Sequence, residues 1–152
     1  MWSVEGETET AVPADVVWRT WTNADNWAKF DPAMEWVNLR PFAAGTKGTI
    51  KIKTQPRSSG LRISQLDEST RTFEIDAPLP LANLRIEHRV DPGADGGSRL
   101  WQRTSIYGLA AWFWIRVIGN ELRAGLPSRL VSLAELAGQS QVADQRQVAD
   151  ER

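Results

Sequence analysis

Apolar and polar positions change their period twice along the chain. Trp2 and Val4 alternate with Ser3 and Glu5, which predicts a first strand over Met1 to Thr10. After Pro13 the period turns helical, with Val17, Trp18 and Trp21 on one face. Pro13 suits a first turn because its missing N–H falls among donors without intrahelical partners, and Asp15 sits well beside them. Asn23 is placed to cap a second short helix carrying Trp27 and Phe30, which must end before Pro32.

From Met34 the period becomes two. Met34 to Phe42, Thr46 to Thr54, Gly60 to Asp67, Thr72 to Ala77, Leu81 to Asp91 and Ser98 to Gly108 read as strands. The links are short and rich in Pro and Gly, so the strands should pair antiparallel as a meander. A long helix is expected from Leu109 to about Gly138, because Leu109, Trp112, Ile115, Ile118, Leu122, Leu126, Leu130, Leu133 and Ala137 recur at three- and four-residue steps. Pro127 should bend it. The polar tail 139–152, with its near-duplicated Gln-Val-Ala-Asp segments, is expected to fray; the alternative is a weak extra helix that packs on a partner.

Together these elements predict an α+β domain over 1–138. A curved antiparallel sheet of about seven strands wraps round the long C-terminal helix, and two short helices after the first strand close one end. The chain has 152 residues, 41% hydrophobic and 24% charged, enough for one domain with a proper core. Its 18 basic and 19 acidic side chains leave a formal charge of −1, which argues against nucleic acid or a membrane surface as the partner. There is no cysteine and a single histidine, His88, so thiolate chemistry, disulfides and clustered-histidine metal sites are not expected. The most apolar run, Leu109 to Ile118, is too short for a membrane span, and no signal-peptide pattern opens the chain; a cytoplasmic location is the expectation.

The order and spacing of several segments resemble the START-like, or SRPBCC, helix-grip superfamily, and within it the polyketide cyclase/dehydrase type. These are Pro13 to Trp18 with Trp27 and Asp31-Pro32; Phe42 to Gly48; Phe73; Leu84 through His88-Arg89-Val90; Gly97 to Leu100; Gly108; and Gly119 with Leu126-Pro127. The resemblance implies a helix-grip fold with a ligand cavity between sheet and helix, and a histidine is often found at the position of His88. Activity does not follow from such a fold alone, since it hosts cyclases, dehydratases and lipid carriers.

Strand parity then sorts the side chains. Leu84, Ile86, His88 and Val90 point one way, and Arg85, Glu87 and Arg89 the other. Phe73, Ile75 and Ala77 alternate with Glu74 and Asp76, whose charges should pair with Arg85 and Arg89 across strands. If Glu87 faces Arg103 on the outside, Leu100, Gln102, Thr104 and Ile106 line the interior; the opposite parity puts Trp101, Arg103 and Tyr107 inside.

An inward histidine is either a satisfied core residue or a group that bonds a ligand or moves a proton, since imidazole titrates nearest neutrality. The candidate catalytic set is His88 as base or acid, with Gln102 or Thr104 polarising a carbonyl. Candidate ligand contacts are Trp36, Ile52, Phe73, Ile86, Ile106, Trp112, Ile115 and Gly119. Eight tryptophans can serve as core packing or as flat walls for a polycyclic ligand. Arg116, Asn120 and Arg123 form either a solvated helix edge or an anion clamp. No nucleophile elbow, phosphate loop or dinucleotide fingerprint occurs.

Two functions remain in view. One is a cofactor-independent cyclase, aromatase or dehydratase acting on a hydrophobic polyketide-like molecule. The other is a carrier or sensor of an apolar small molecule. A third, blander reading is an interaction module with a filled core, against which Gly108 and Gly119 are expected to leave room. Neither main reading requires a metal or cofactor, and nothing in the sequence indicates an oligomer.

Overall fold

The computed structural model describes residues 1–151. Its elements are β1 (Trp2–Thr10), α1 (Ala14–Trp21), a 3-10 turn (Ala24–Asn26), α2 (Trp27–Phe30), β2 (Met34–Asn38), β3 (Lys47–Ile52), β4 (Ser59–Asp67), β5 (Thr72–Leu79), β6 (Ala82–Pro92), β7 (Ser98–Tyr107) and α3 (Ala111–Asp150). The strands form one seven-stranded sheet in the order β1-β7-β6-β5-β4-β3-β2, antiparallel at every step. This is the helix-grip architecture. A meander with β1 returned to the far edge brings the first and last strands together, and α3 lies against β1 and β7 with α1 and α2 on its flank.

The core follows the parity of the strands. Ile63, Phe73, Ile75, Val90 and Leu100 point inward from the sheet and meet Leu126, Leu130 and Leu133 of α3 with Val17, Trp21 and Trp27 of the short helices, and Ile106 is buried as well. Each fully buried leucine on α3 contributes about 1.5–3 kcal/mol by leaving water. Gly6 allows the close fit of helix to sheet, since a β-carbon there would lie 3.0 Å from Leu126 Cγ. The outer face carries the ion pairs: Arg103 donates to Glu87 at 2.6 and 2.9 Å, and Arg85 meets Asp76 and Glu74 at 2.9 and 2.8 Å. Arg89 pairs instead with Asp91 on its own strand, because its cross-strand neighbour on β5 is Thr72.

The element boundaries depart furthest from the expectation at three places. β2 stops at Asn38 rather than Phe42; Leu39 turns into the core, and Pro41, which has no N–H to donate, cannot extend the ladder. α3 begins at Ala111, after Gly108 turns the chain at φ +116°, a left-handed conformation where a β-carbon would press on Ala82 Cα at 2.8 Å. The tail expected to fray is helical, and α3 runs on through Pro127 to Asp150. Residues 139–150 contain neither Gly nor Pro and are mostly good helix formers, so nothing local stops the helix once packing has nucleated it.

Candidate functional site

Strand register assembles the site. Phe73 of β5 pairs with His88 of β6, His88 with Gln102 of β7, and Gln102 with Gly6 of β1, a single row across the inner face. The next row holds Ile75, Ile86, Thr104 and Val4. Leu100, Gln102, Thr104 and Ile106 are all buried, which settles the parity of β7 with Trp101, Arg103 and Tyr107 on the other side.

His88 is held on three sides. Its ring stacks on Phe73 at 4.0 Å between centroids with 7° between planes, and Trp21 meets it edge-on at 5.0 Å. Nδ1 lies 3.2 Å from the backbone oxygen of Phe73. That carbonyl can only accept, so Nδ1 carries the hydrogen and Nε2 presents a lone pair. Nε2 has no hydrogen-bond partner among the described residues. Burial pushes the imidazole pKa down to about 3, the Phe73 carbonyl raises it slightly, and the positive charge of Arg129 lowers it further. His88 is thus neutral at physiological pH.

Gln102 donates weakly to Thr104 Oγ1 at 3.5 Å, so the two candidate polar partners of His88 lie side by side on β7. Arg129 and Asp31 were not among the expected site residues. Arg129 projects from α3, donates from Nε to the Gly125 carbonyl at 3.3 Å and reaches Asp31 Oδ2 at 3.5 Å. Asp31, buried where α2 ends, also accepts from the Ala33 backbone N–H at 3.0 Å. The pair joins the short-helix layer to α3 beside the imidazole. Arg129 is three residues beyond the buried Leu126, and that step is the signal by which the sequence places it on the inner edge of the helix.

The expected ligand contacts divide. Phe73 and Ile106 are buried, and Ile52, Ile86 and Ile115 are half-buried. Trp36 and Trp112 are instead exposed, on β2 and on the first turn of α3, so the inner aromatic wall falls to Trp18, Trp21, Trp27, Phe42 and Phe73, which meet ring to ring. Gly119 leaves no hollow, because Trp2 and Ile115 fill its surroundings at 3.5 Å, and Gly108 belongs to the turn before α3. Arg116, Asn120 and Arg123 are exposed, with Arg123 lying over the Trp2 ring. Open concavities occur on the last turns of α3, between Glu135 and Ala149, where His88 takes no part. Among the described residues no three His, Cys, Asp or Glu side chains gather as metal ligands, and no helix is long and apolar enough to cross a membrane.

A curved sheet gripping a long C-terminal helix is the fold of cyclase-type and ligand-binding proteins. The chain belongs to the family described as polyketide cyclase / dehydrase and lipid transport, whose profile matches residues 1–135. Its fold is that of the Zhui aromatase/cyclase from Streptomyces sp. R1128, with a TM-score of 0.75 at 16% identity over 91% of this chain and 94% of that one. It is also that of norcoclaurine synthase from Thalictrum flavum, with a TM-score of 0.69 at 15% identity over 89% and 85%. A third likeness, to a Thermus thermophilus protein designated TTHA0849, has a TM-score of 0.70 at 12% identity over 91% and 99%. No curated protein sequence matches the chain.

Proposed function

We propose that the protein binds a hydrophobic, polyketide-like or polycyclic small molecule between the sheet and α3 and promotes its intramolecular cyclisation and dehydration without a cofactor. The observation that carries this reading is the neutral His88, its hydrogen fixed on Nδ1 and its Nε2 lone pair without a protein partner among the described residues, within an aromatic wall. Such a wall holds a flexible chain folded, so that a methylene carbon meets a carbonyl carbon, and proximity supplies most of the acceleration. Nε2 accepts the proton lost by the methylene carbon as the carbon–carbon bond forms. Gln102, Thr104 or Arg129 hydrogen-bonds the carbonyl oxygen as it gains negative charge, and the imidazolium returns its proton from Nε2 to that oxygen to give the hydroxyl. Departure of this hydroxyl together with the second hydrogen of the attacking carbon, as water, leaves the conjugated double bond. The exposed Trp36 and Trp112 are left out of this pocket.

The second reading, a carrier or sensor, is favoured by one observation. An imidazole with a pKa of about 3 is a weak base, better suited to accept a hydrogen bond from a ligand hydroxyl than to remove a proton from carbon. One experiment separates them. Ligands are screened by quenching of the tryptophan fluorescence and then incubated for product, with His88→Ala beside the wild type. Acid–base catalysis requires turnover to fall roughly 10²- to 10⁴-fold in the variant while binding changes little. Binding without product in the wild type transfers the protein to the carrier class, and a fall in turnover below about threefold in the variant takes acid–base chemistry away from His88.

A further inference from the structure

The antiparallel meander gathers one set of chain turns at a single end of the sheet: the β3–β4 link, the β5–β6 turn and the β7–α3 junction. This end carries large apolar side chains that nothing in the fold covers. Leu109 is 87% exposed, Leu81 74% and Trp112 67%, and Phe113 and Val117 continue the patch along the outer side of α3. The tips are rigidly joined. The Ala110 N–H donates to the Leu81 carbonyl at 2.9 Å, and Trp114 Nε1 donates to the Pro80 carbonyl at 3.0 Å. Leu81 takes φ +58°, a left-handed turn position that disfavours a branched side chain, and the fold nonetheless presents leucine to solvent there.

Apart from Glu35 at the start of β2, the charged side chains of these turns and of the first turns of α3 are basic. No carboxylate occurs between Glu35 and Asp67, between Asp76 and Glu87, or between Asp95 and Glu121, the stretches that contain these turns. Lys53, Arg57 and Arg116 are exposed there, and Glu35, at the start of β2, is occupied by Lys51 at 3.2 Å. The opposite end of the sheet is mixed, with Asp67, Glu68, Asp91 and Asp95 beside Arg71, Arg89 and Arg99, so the net charge of −1, which by itself argues against a membrane partner, says nothing of the basic character of this end.

We propose that this end docks on the surface of an anionic lipid bilayer. Leu81, Leu109 and Trp112 enter the headgroup–acyl boundary while Lys53, Arg57 and Arg116 lie against headgroup phosphates. Separate projecting tips suit a fluid surface, which needs no complementary socket, and an indole beside cations suits the interfacial layer.

Co-sedimentation of the full chain with phosphatidylcholine vesicles containing or lacking phosphatidylglycerol tests this. Binding is expected only with phosphatidylglycerol and should weaken as salt is raised. The Leu109→Ser/Trp112→Ser double variant should bind at least about tenfold more weakly, and Arg116→Gln about fivefold. Circular dichroism and the thermal midpoint of each variant check that the fold is kept. Failure to sediment with anionic vesicles overturns the proposal, as does equal binding to neutral ones or unchanged binding by the folded double variant. A dimer in light scattering that the double variant dissociates, without vesicle binding, assigns the patch to a second copy instead.

Discussion

At His88 the same contacts that fix the tautomer couple the residue to stability. The folded state holds the imidazole pKa at about 3, below the ordinary value of 6.5, chiefly because burial disfavours the cation. The unfolded chain binds a proton below pH 6.5 that the folded chain refuses until about pH 3, so this residue's contribution is fully present above 6.5 and is lost as pH falls through that window. Between about pH 7 and pH 5 the loss amounts to about 2 kcal/mol. Urea unfolding of wild type and His88→Gln at the two pH values should show the wild type losing that much more; parallel losses would mean that the ring protonates without unfolding. The burial of this side chain is legible from the alternation of Leu84, Ile86, His88 and Val90, because parity in a half-buried strand fixes faces. Arg129 is missed by a stripe traced through apolar positions alone, which skips a guanidinium whose head finds Asp31; only its step of three residues from Leu126 marks it.

Among the elements, α3 departs furthest from its sequence reading and supplies a second prediction. Its inward residues run to Ala137, and Gly138 still packs near Val12, but every residue from Val142 to Asp150 is exposed. The last turns of the helix thus extend beyond the body and bury almost nothing. A chain ending after Gln141 should keep its thermal midpoint within about 2 °C, since less than about 0.5 kcal/mol is at stake. A fall of more than about 5 °C in a melting experiment would show that these turns cover something in solution. Apart from the end of β2, the strands are readable to within two residues because each has one wet face and one dry face, and the short Pro- and Gly-rich links leave little choice of pairing. The tail escapes a reading based on polarity, because helix continuation depends on backbone propensity and an existing nucleus rather than on apolar content.

Taken whole, the molecule is a sheet, a short-helix layer and a long helix that meet around one imidazole. Phe73 of the sheet, Trp21 of α1 and the charge of Arg129 of α3 all bear on that ring, so a ligand bound as proposed would approach Nε2 where these three bodies join. The Arg129–Asp31 pair is the polar link between the last two, half-shielded from water, with Asp31 also holding the Ala33 N–H. Asp31→Asn keeps an acceptor for Ala33 but removes the charge that draws Arg129, and a bond to a charged group in such a setting is worth about 1.5 kcal/mol. Separation of the short helices from α3 should then become about tenfold more frequent while the sheet stays intact. Amide exchange measured by mass spectrometry should accelerate by that factor across residues 14–30 and remain unchanged in β6 and β7. Uniform acceleration would show that the pair stabilises the whole fold. Unchanged exchange would show that apolar contacts of Val17, Trp21 and Trp27 hold the layer unaided, in which case a ligand must displace rings rather than an ion pair to reach the histidine.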